Sequence, residues 1–334
     1  MKRFFSGLIL LAMVVSFESV SRAAVILYSQ NFEVDDSANW TTNTGAADGI
    51  ADVFYDYSAI GVPSAPGGGT RGLKLTANNA VLPGGTVGVL GGINASPTGQ
   101  SFTGSYRVSF NIWQNYVGPL GVGGSGTTQL STYGIGTAGT TNFLVGSNPG
   151  SVVFAHTLDG GSGADYRVYS SAAPTSYASG NPVYAAPGGA INNNNAYYSV
   201  FTAESAPAAQ LALFPGQTLS TDLGEAAFLW RSVTIDVVND PSLGLNSATW
   251  SIDGLRIATV DLNTVTLSGG NILFGHHDTN AGVSTDANRS LLNVTLIDNI
   301  SVTAVPEPSA LALVLVGAVV PVIRRGRLRS VVAC

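Results

Sequence analysis

The chain has 334 residues, 45% of them hydrophobic and only 10% charged, with 41 glycines, 15 prolines and a formal net charge of −6. Apolar residues recur in short alternating runs, which excludes a disordered polyelectrolyte, and low charge with abundant glycine fits an all-β domain rich in turns. Between residues 24 and 304 the basic residues are Arg71, Lys74, Arg107, Arg167, Arg231, Arg256 and Arg289, against eighteen acidic ones. That balance leaves no nucleic-acid partner, because such affinity depends on neutralised phosphates, but it admits divalent cations.

Taken in order, Lys2 and Arg3 precede an apolar run over residues 4–15, and small residues follow at Ser21 and Ala23. This is the pattern of a secretory signal peptide over residues 1–23, cleaved after Ala23 or Ala24, since the run is short for a membrane span. Strand patterns then lie near Ile26, Leu73 and Val87. Residues 106–112 alternate cleanly, so Val108, Phe110 and Ile112 share one face while Trp113 takes the other. Further strands are predicted near Leu130, Val153, Val168 and Ile272, and around Val233, Ile235 and Val237. Residues 250–257 place Asp253-Gly254 between alternating runs, the signature of a tight hairpin. Residues 118–127, 159–165 and 171–198 read as loops, and the last is long enough to suggest a functional role. A short helix fits within residues 202–214, interrupted early by Pro207. In the closing strand Leu292, Val294, Leu296, Ile300 and Val302 fall on one parity, and Asp298 shares it.

Roughly twelve short strands with turns between them predict an antiparallel two-sheet sandwich over residues 24–304. The order of Asn31-Phe32-Glu33, a mid-chain Trp230 strand, the 250–257 hairpin and a closing Ile297-Asp298-Asn299-Ile300 resembles the concanavalin-like, laminin-G-like jelly roll. An immunoglobulin-like sandwich or two smaller β domains are the alternatives.

The other end of the chain carries three features in sequence. Val305-Pro306-Glu307-Pro308-Ser309 is followed by an apolar stretch over residues 310–323, then by Arg324, Arg325, Arg327 and Arg329 in a tail over residues 324–334. The apolar stretch reads as a short transmembrane helix, and the arginines hold the tail in the cytoplasm, which places the preceding residues outside. Residues 305–334 resemble the PEP-CTERM sorting signal. That resemblance implies export across the inner membrane and transient anchoring. It also implies that an exosortase-type membrane protease-transpeptidase cuts near the motif, after which the protein would reside at the cell surface or in the extracellular matrix. The only cysteine, Cys334, lies in this tail, so no disulfide is expected in the exported part.

The candidate sites are modest. Jelly-roll glucanases resemble one another in a Glu-x-Asp-x-x-Glu strand, whereas this chain has Glu33-Val34-Asp35-Asp36-Ser37-Ala38, without the last carboxylate that hydrolysis needs. Adjacent His276 and His277 face opposite ways on a strand, and neither they nor His156 have a second ligand pair at metal spacing. Trp113, Tyr116, Tyr177, Tyr184, Tyr197 and Tyr198 are candidates to stack on sugar rings. Glu33 and Asp298 are candidates for a structural calcium ion, because carbohydrate-binding jelly rolls of this pattern commonly share one between an early Glu and a late Asp. The expectation is a non-enzymatic surface or matrix protein that binds extracellular polysaccharide. Its alternatives are an adhesive envelope protein and a jelly-roll hydrolase.

Overall fold

The computed structural model describes residues 25–45, 48–77, 79, 91–115, 128–143, 150–157, 163–218, 220–279 and 286–305. Among these residues, alternation in the sequence becomes fourteen strands in two sheets. The first sheet takes β3 (Ile50–Asp56), β4 (Arg71–Thr76), β6 (Tyr106–Gln114), β10 (Arg231–Asp240), β11 (Leu245–Ile252), β12 (Leu255–Asp261) and β14 (Thr295–Ala304), with β1 (Ile26–Gln30) alongside β14. Its order is β12-β11-β10-β6-β14-β4-β3. The second sheet takes β2 (Trp40–Thr44), β5 (Gly91–Pro97), β7 (Gln129–Thr137), β8 (Val152–Thr157), β9 (Tyr166–Tyr169) and β13 (Asn271–Asp278), in the order β2-β5-β13-β7-β8-β9. Every pairing is antiparallel. The result is the jelly-roll sandwich that the strand pattern predicts.

The main core lies between the sheets. Val108, Phe110 and Ile112 of β6 and Val233, Ile235 and Val237 of β10 meet Ile272 and Phe274 of β13 and Tyr133 of β7. Phe110 sits edge-on to both Tyr133 and Phe274 at 5.0 Å. A second apolar cluster covers the outer face of the first sheet, where Trp113, Val294 and Leu296 pack with Tyr57 and Phe228. The hairpin joining β11 to β12 turns at Asp253 (φ 48°) and Gly254 (φ 80°), two successive left-handed residues that match the twist of the strands.

Three expectations change. The long segment 171–198 is packed rather than open, because its residues 183–185 pair with β12 and its Tyr177 N–H donates to Val168 of β9. It thereby joins the edges of the two sheets. The short helix α1 (Ala208–Leu213) begins directly after Pro207, so that residue starts the helix instead of interrupting it. The closing strand begins only at Thr295, and Leu292 belongs to a helical turn, α2 (Arg289–Leu292). Asn299, at φ 52°, then inserts a bulge: Asp298 pairs with Asn111 and Ser301 with Ser109, so two residues oppose one. Parity reverses there. Leu296 joins the outer cluster, while Ile297, Ile300 and Val302 line the main core.

Among the described residues no helix is long and apolar enough to cross a membrane. The expected signal peptide, the strand near Val87, Tyr116, Pro306 to Ser309, the apolar stretch and the four tail arginines all lie outside the described residues.

Candidate functional site

Glu33 and Asp298 are brought to one corner. After β1 the chain turns at Phe32, whose φ of 56° is rare for a bulky residue. The turn is held by the Phe32 N–H, which donates to Gln30 Oε1 at 2.7 Å, and by the Phe32 ring, packed 5.5 Å from Trp40. With its ring fixed inside, the next carboxylate is directed to the rim. Glu33 Oε1 accepts from the Arg71 N–H at 3.3 Å and lies so close to Gly69 that any Cβ there would overlap it.

Asp298 is fully buried on the outer side of β14. Its Oδ1 accepts from the Asn299 N–H at 2.6 Å and its Oδ2 from the Tyr57 hydroxyl at 3.0 Å. It faces Tyr57, therefore, and not the residues Ile300 and Val302 whose parity it was expected to share. Burial pushes its carboxyl up to about 7; the two donors oppose the rise, and the negative charge of Glu33 adds to it. The carbonyls of Pro66 and Gly69 stand at the same corner: Pro66 O accepts from Asn299 Nδ2 at 2.8 Å, and Gly69 O, 3.2 Å from the Tyr57 hydroxyl, competes with Asp298 for its single proton. Among the described residues no ion pair neutralises either carboxylate, and no group of three or more His, Cys, Asp or Glu is arranged for a metal. Carboxylate and carbonyl oxygens, the kinds gathered at this corner, are the donors that calcium favours.

The aromatic candidates do not form a stacking surface. Trp113 has no exposed area, lies 5.9 Å from Trp230 and donates its indole N–H to Asn115 Oδ1 at 3.1 Å. Its outward parity is as expected, but Trp230 and Phe228 cover it. Tyr198 is buried and stacked on Tyr166 at 4.1 Å, and its hydroxyl donates to Ala190 O. Tyr184 is buried, donates to Tyr177 O at 2.8 Å and accepts from Val168 N. Tyr177 and Tyr197 are half-buried, with hydroxyls bonded to Ser170 Oγ and Arg256 O. These tyrosines fasten segment 171–198 to the sandwich.

The histidines and the early acids are likewise occupied. His276 Nδ1 meets Thr295 Oγ1 at 2.9 Å and its Nε2 meets Gln129 Oε1 at 2.6 Å. His277 meets Thr132 Oγ1 and Phe143 O from the opposite face. Both rings have each nitrogen engaged, and His156 bonds Tyr133 through Nδ1 at 3.1 Å. Asp35 and Asp36 sit in the turn after β1, accepting from Ser37 N and Gln30 Nε2. They are not on a central strand.

A cleft with room for a ligand lies where none of the sequence-predicted sites falls. It opens between the sheets at the end where β6 begins and β10 finishes, with a volume of about 490 Å³. Phe102 and Tyr106, 5.9 Å apart, line its inner part; Leu262, Val265 and Leu267 form one wall, and Ser101 and Thr103 add hydroxyls. Asn239 and Asn246, directly paired across β10 and β11, contribute two amides. A signal for them was present in the sequence. Asn239 continues the inward parity of Val233, Ile235 and Val237, and Asn246 that of Ala248, Trp250 and Ile252, so each is a polar residue at the end of an apolar stripe.

The sequence matches no protein-family model and no curated protein. Among solved structures it is similar to a protein with a galectin-like fold from Bacillus subtilis (TM-score 0.43, 11% identity, covering 84% of this chain and 96% of that one). It is also similar to an endo-1,3-beta-glucanase from Streptomyces sioyaensis (TM-score 0.43, 13% identity, 85% and 97% covered) and to peanut lectin (TM-score 0.38, 11% identity, 83% and 95% covered).

Proposed function

We propose that this is a non-enzymatic exported surface or matrix protein, sorted by an exosortase-type transpeptidase, whose sandwich binds a neutral glycan in the end cleft. The observation that carries the binding reading is the pair of amides at the mouth of that cleft, the exposed Asn239 and its cross-strand partner Asn246, whose Nδ2 also donates to Asn263 Oδ1 at 3.2 Å, beside Phe102 and Tyr106. Sugar hydroxyls both donate and accept, as amides do, while the C–H faces of a sugar suit aromatic and aliphatic walls. Among the described lining residues there is no carboxylate, whereas glycoside hydrolysis uses a flanking pair. Sorting is supported by residues 305–334 alone, in which motif, apolar stretch and arginines follow in order.

The reading includes structural calcium held by Glu33 and Asp298 with the carbonyls of Pro66 and Gly69. The ion would offset two negative charges at one corner and link the turn after β1 to the bulge in β14.

A glycan array probed with the mature protein tests the binding. A hit should weaken about tenfold in the Asn239→Ala/Asn246→Ala double variant, as expected for losing one or two hydrogen bonds, and should be insensitive to salt. An empty array, or a hit indifferent to both replacements, overturns the reading.

A further inference from the structure

The end of the sandwich from which the chain leaves β14 carries a concentration of exposed apolar side chains. Ala304 N–H donates to Val25 O at 2.8 Å, Val305 N–H to Ser105 O at 3.0 Å, and Asn239 N–H to Ser105 Oγ at 3.0 Å. The start of β1, the end of β14 and the turn between β10 and β11 therefore lie side by side. Val25, Ile26, Leu27, Leu243, Leu245 and Val305 stand there, 41% to 64% exposed. Single exposed hydrophobics need no explanation, but a group at one end of a molecule marks a contact surface. Arg107, the basic residue of β6 at this end, is engaged by Asp236 at 2.5 Å, so the face offers apolar contact and little free positive charge.

What covers this face follows from where the chain goes next. Four residues separate Val305 from the apolar stretch that begins at Ala310. Those five steps reach at most about 18 Å, and a headgroup layer is itself about 5–8 Å deep. A sandwich tethered so closely by this end cannot hold the end far from lipid. We propose that the apolar end rests on the membrane headgroups while the chain is tethered, covering the mouth of the end cleft until the tail is cut. The inference rests on the sorting reading and extends it: the cut that frees the protein also opens its ligand cleft.

The full-length chain in phospholipid vesicles tests this with tryptophan probes at Leu243→Trp and, independently, Leu245→Trp. Leu291→Trp is the control, since Leu291 precedes β14 and lies at the opposite end of β6. Nitroxide-labelled lipids should quench the emission added at residues 243 and 245 about twofold or more beyond that at 291, as for an apolar face seated at the headgroup boundary. If the chain floats with the vesicles and all three probes are quenched alike, the inference fails and the sorting reading stands. A chain that does not float overturns both.

Discussion

Asp298 is a carboxylate with no exposed surface, and its titration follows from its neighbours. Burial and the charge of Glu33 raise it to about 7 against the donors Asn299 and Tyr57. The unfolded value is about 3.9, so between about pH 4 and 7 the folded state holds a proton that the unfolded state has lost. Its contribution is therefore fully present below about pH 4 and is lost as pH rises through about 7. In EDTA, Asp298→Asn should flatten this part of the Tm–pH curve and raise Tm above about pH 7. Calcium should raise Tm of the parent at pH 8 and leave Asp298→Asn unchanged; no response in the parent, with no bound metal by elemental analysis, removes the calcium site. The histidines act with the opposite sign. Burial holds His156 and His276 down to about 3 and His277 to about 4, with Arg231 adding to the effect at His156 and His277 at His276. The unfolded chain takes up these protons below about pH 6.5, so stability falls as pH drops from there through the folded values. An NMR titration should find three imidazoles that stay neutral above about pH 5 while the fold persists. Any one titrating near 6.5 would contradict its burial.

At the scale of elements, segment 171–198 closes the side of the sandwich. Ala185 N–H donates to Ile257 O at 2.9 Å and Thr259 N–H to Val183 O at 2.8 Å, while Tyr184 reaches back to Val168 of β9. Tyr184→Ala removes a buried ring and leaves the Val168 N–H without its acceptor. The expected cost is about 3–5 kcal/mol, read as a lower denaturation midpoint with new proteolytic cuts within 171–198. Tyr184→Phe keeps the ring and should cost about 1–3 kcal/mol. If the alanine variant is as protease-resistant as the parent, the segment is not held by this residue.

At the scale of the molecule, β14 is the last strand among the described residues yet lies inside the first sheet, between β6 and β4, with β1 beside its second half. Start and finish of the sandwich are thus neighbours, and neither can be withdrawn without opening a sheet. On the proposed sorting, the chain would be trimmed outside this pair and not into it. Mass spectrometry of the exported form should accordingly show an N-terminus near Ala24 or Val25 and no peptide beyond about Ser309. Recovery of the arginine tail from mature surface material would refute sorting. If these arginines set orientation as proposed, replacing Arg324, Arg325, Arg327 and Arg329 together with Gln should leave the protein unprocessed or released uncut into the medium, and normal processing of that variant would contradict the reading.

The sequence by itself determined most of the strands and, in β6 and β10, the face each residue takes, but it marked none of β2, β3 and β5. Alternation is a local property, so the inward set Val108, Phe110 and Ile112, the hairpin at Asp253-Gly254 and the two-sheet class were legible without any partner. Tertiary structure decided what each face meets. Trp113 reads as outward from its neighbours in sequence, yet it is covered by Trp230 and Phe228, more than a hundred residues away. Asp298 reads as sharing a face with Ile300 until the pairing with β6 forces two residues opposite one and reverses the parity. The end cleft belongs to the same class. Phe102, Ile135, Asn239, Asn246 and Leu267 converge only when the two sheets stack, and no local pattern records which strand ends will stand face to face.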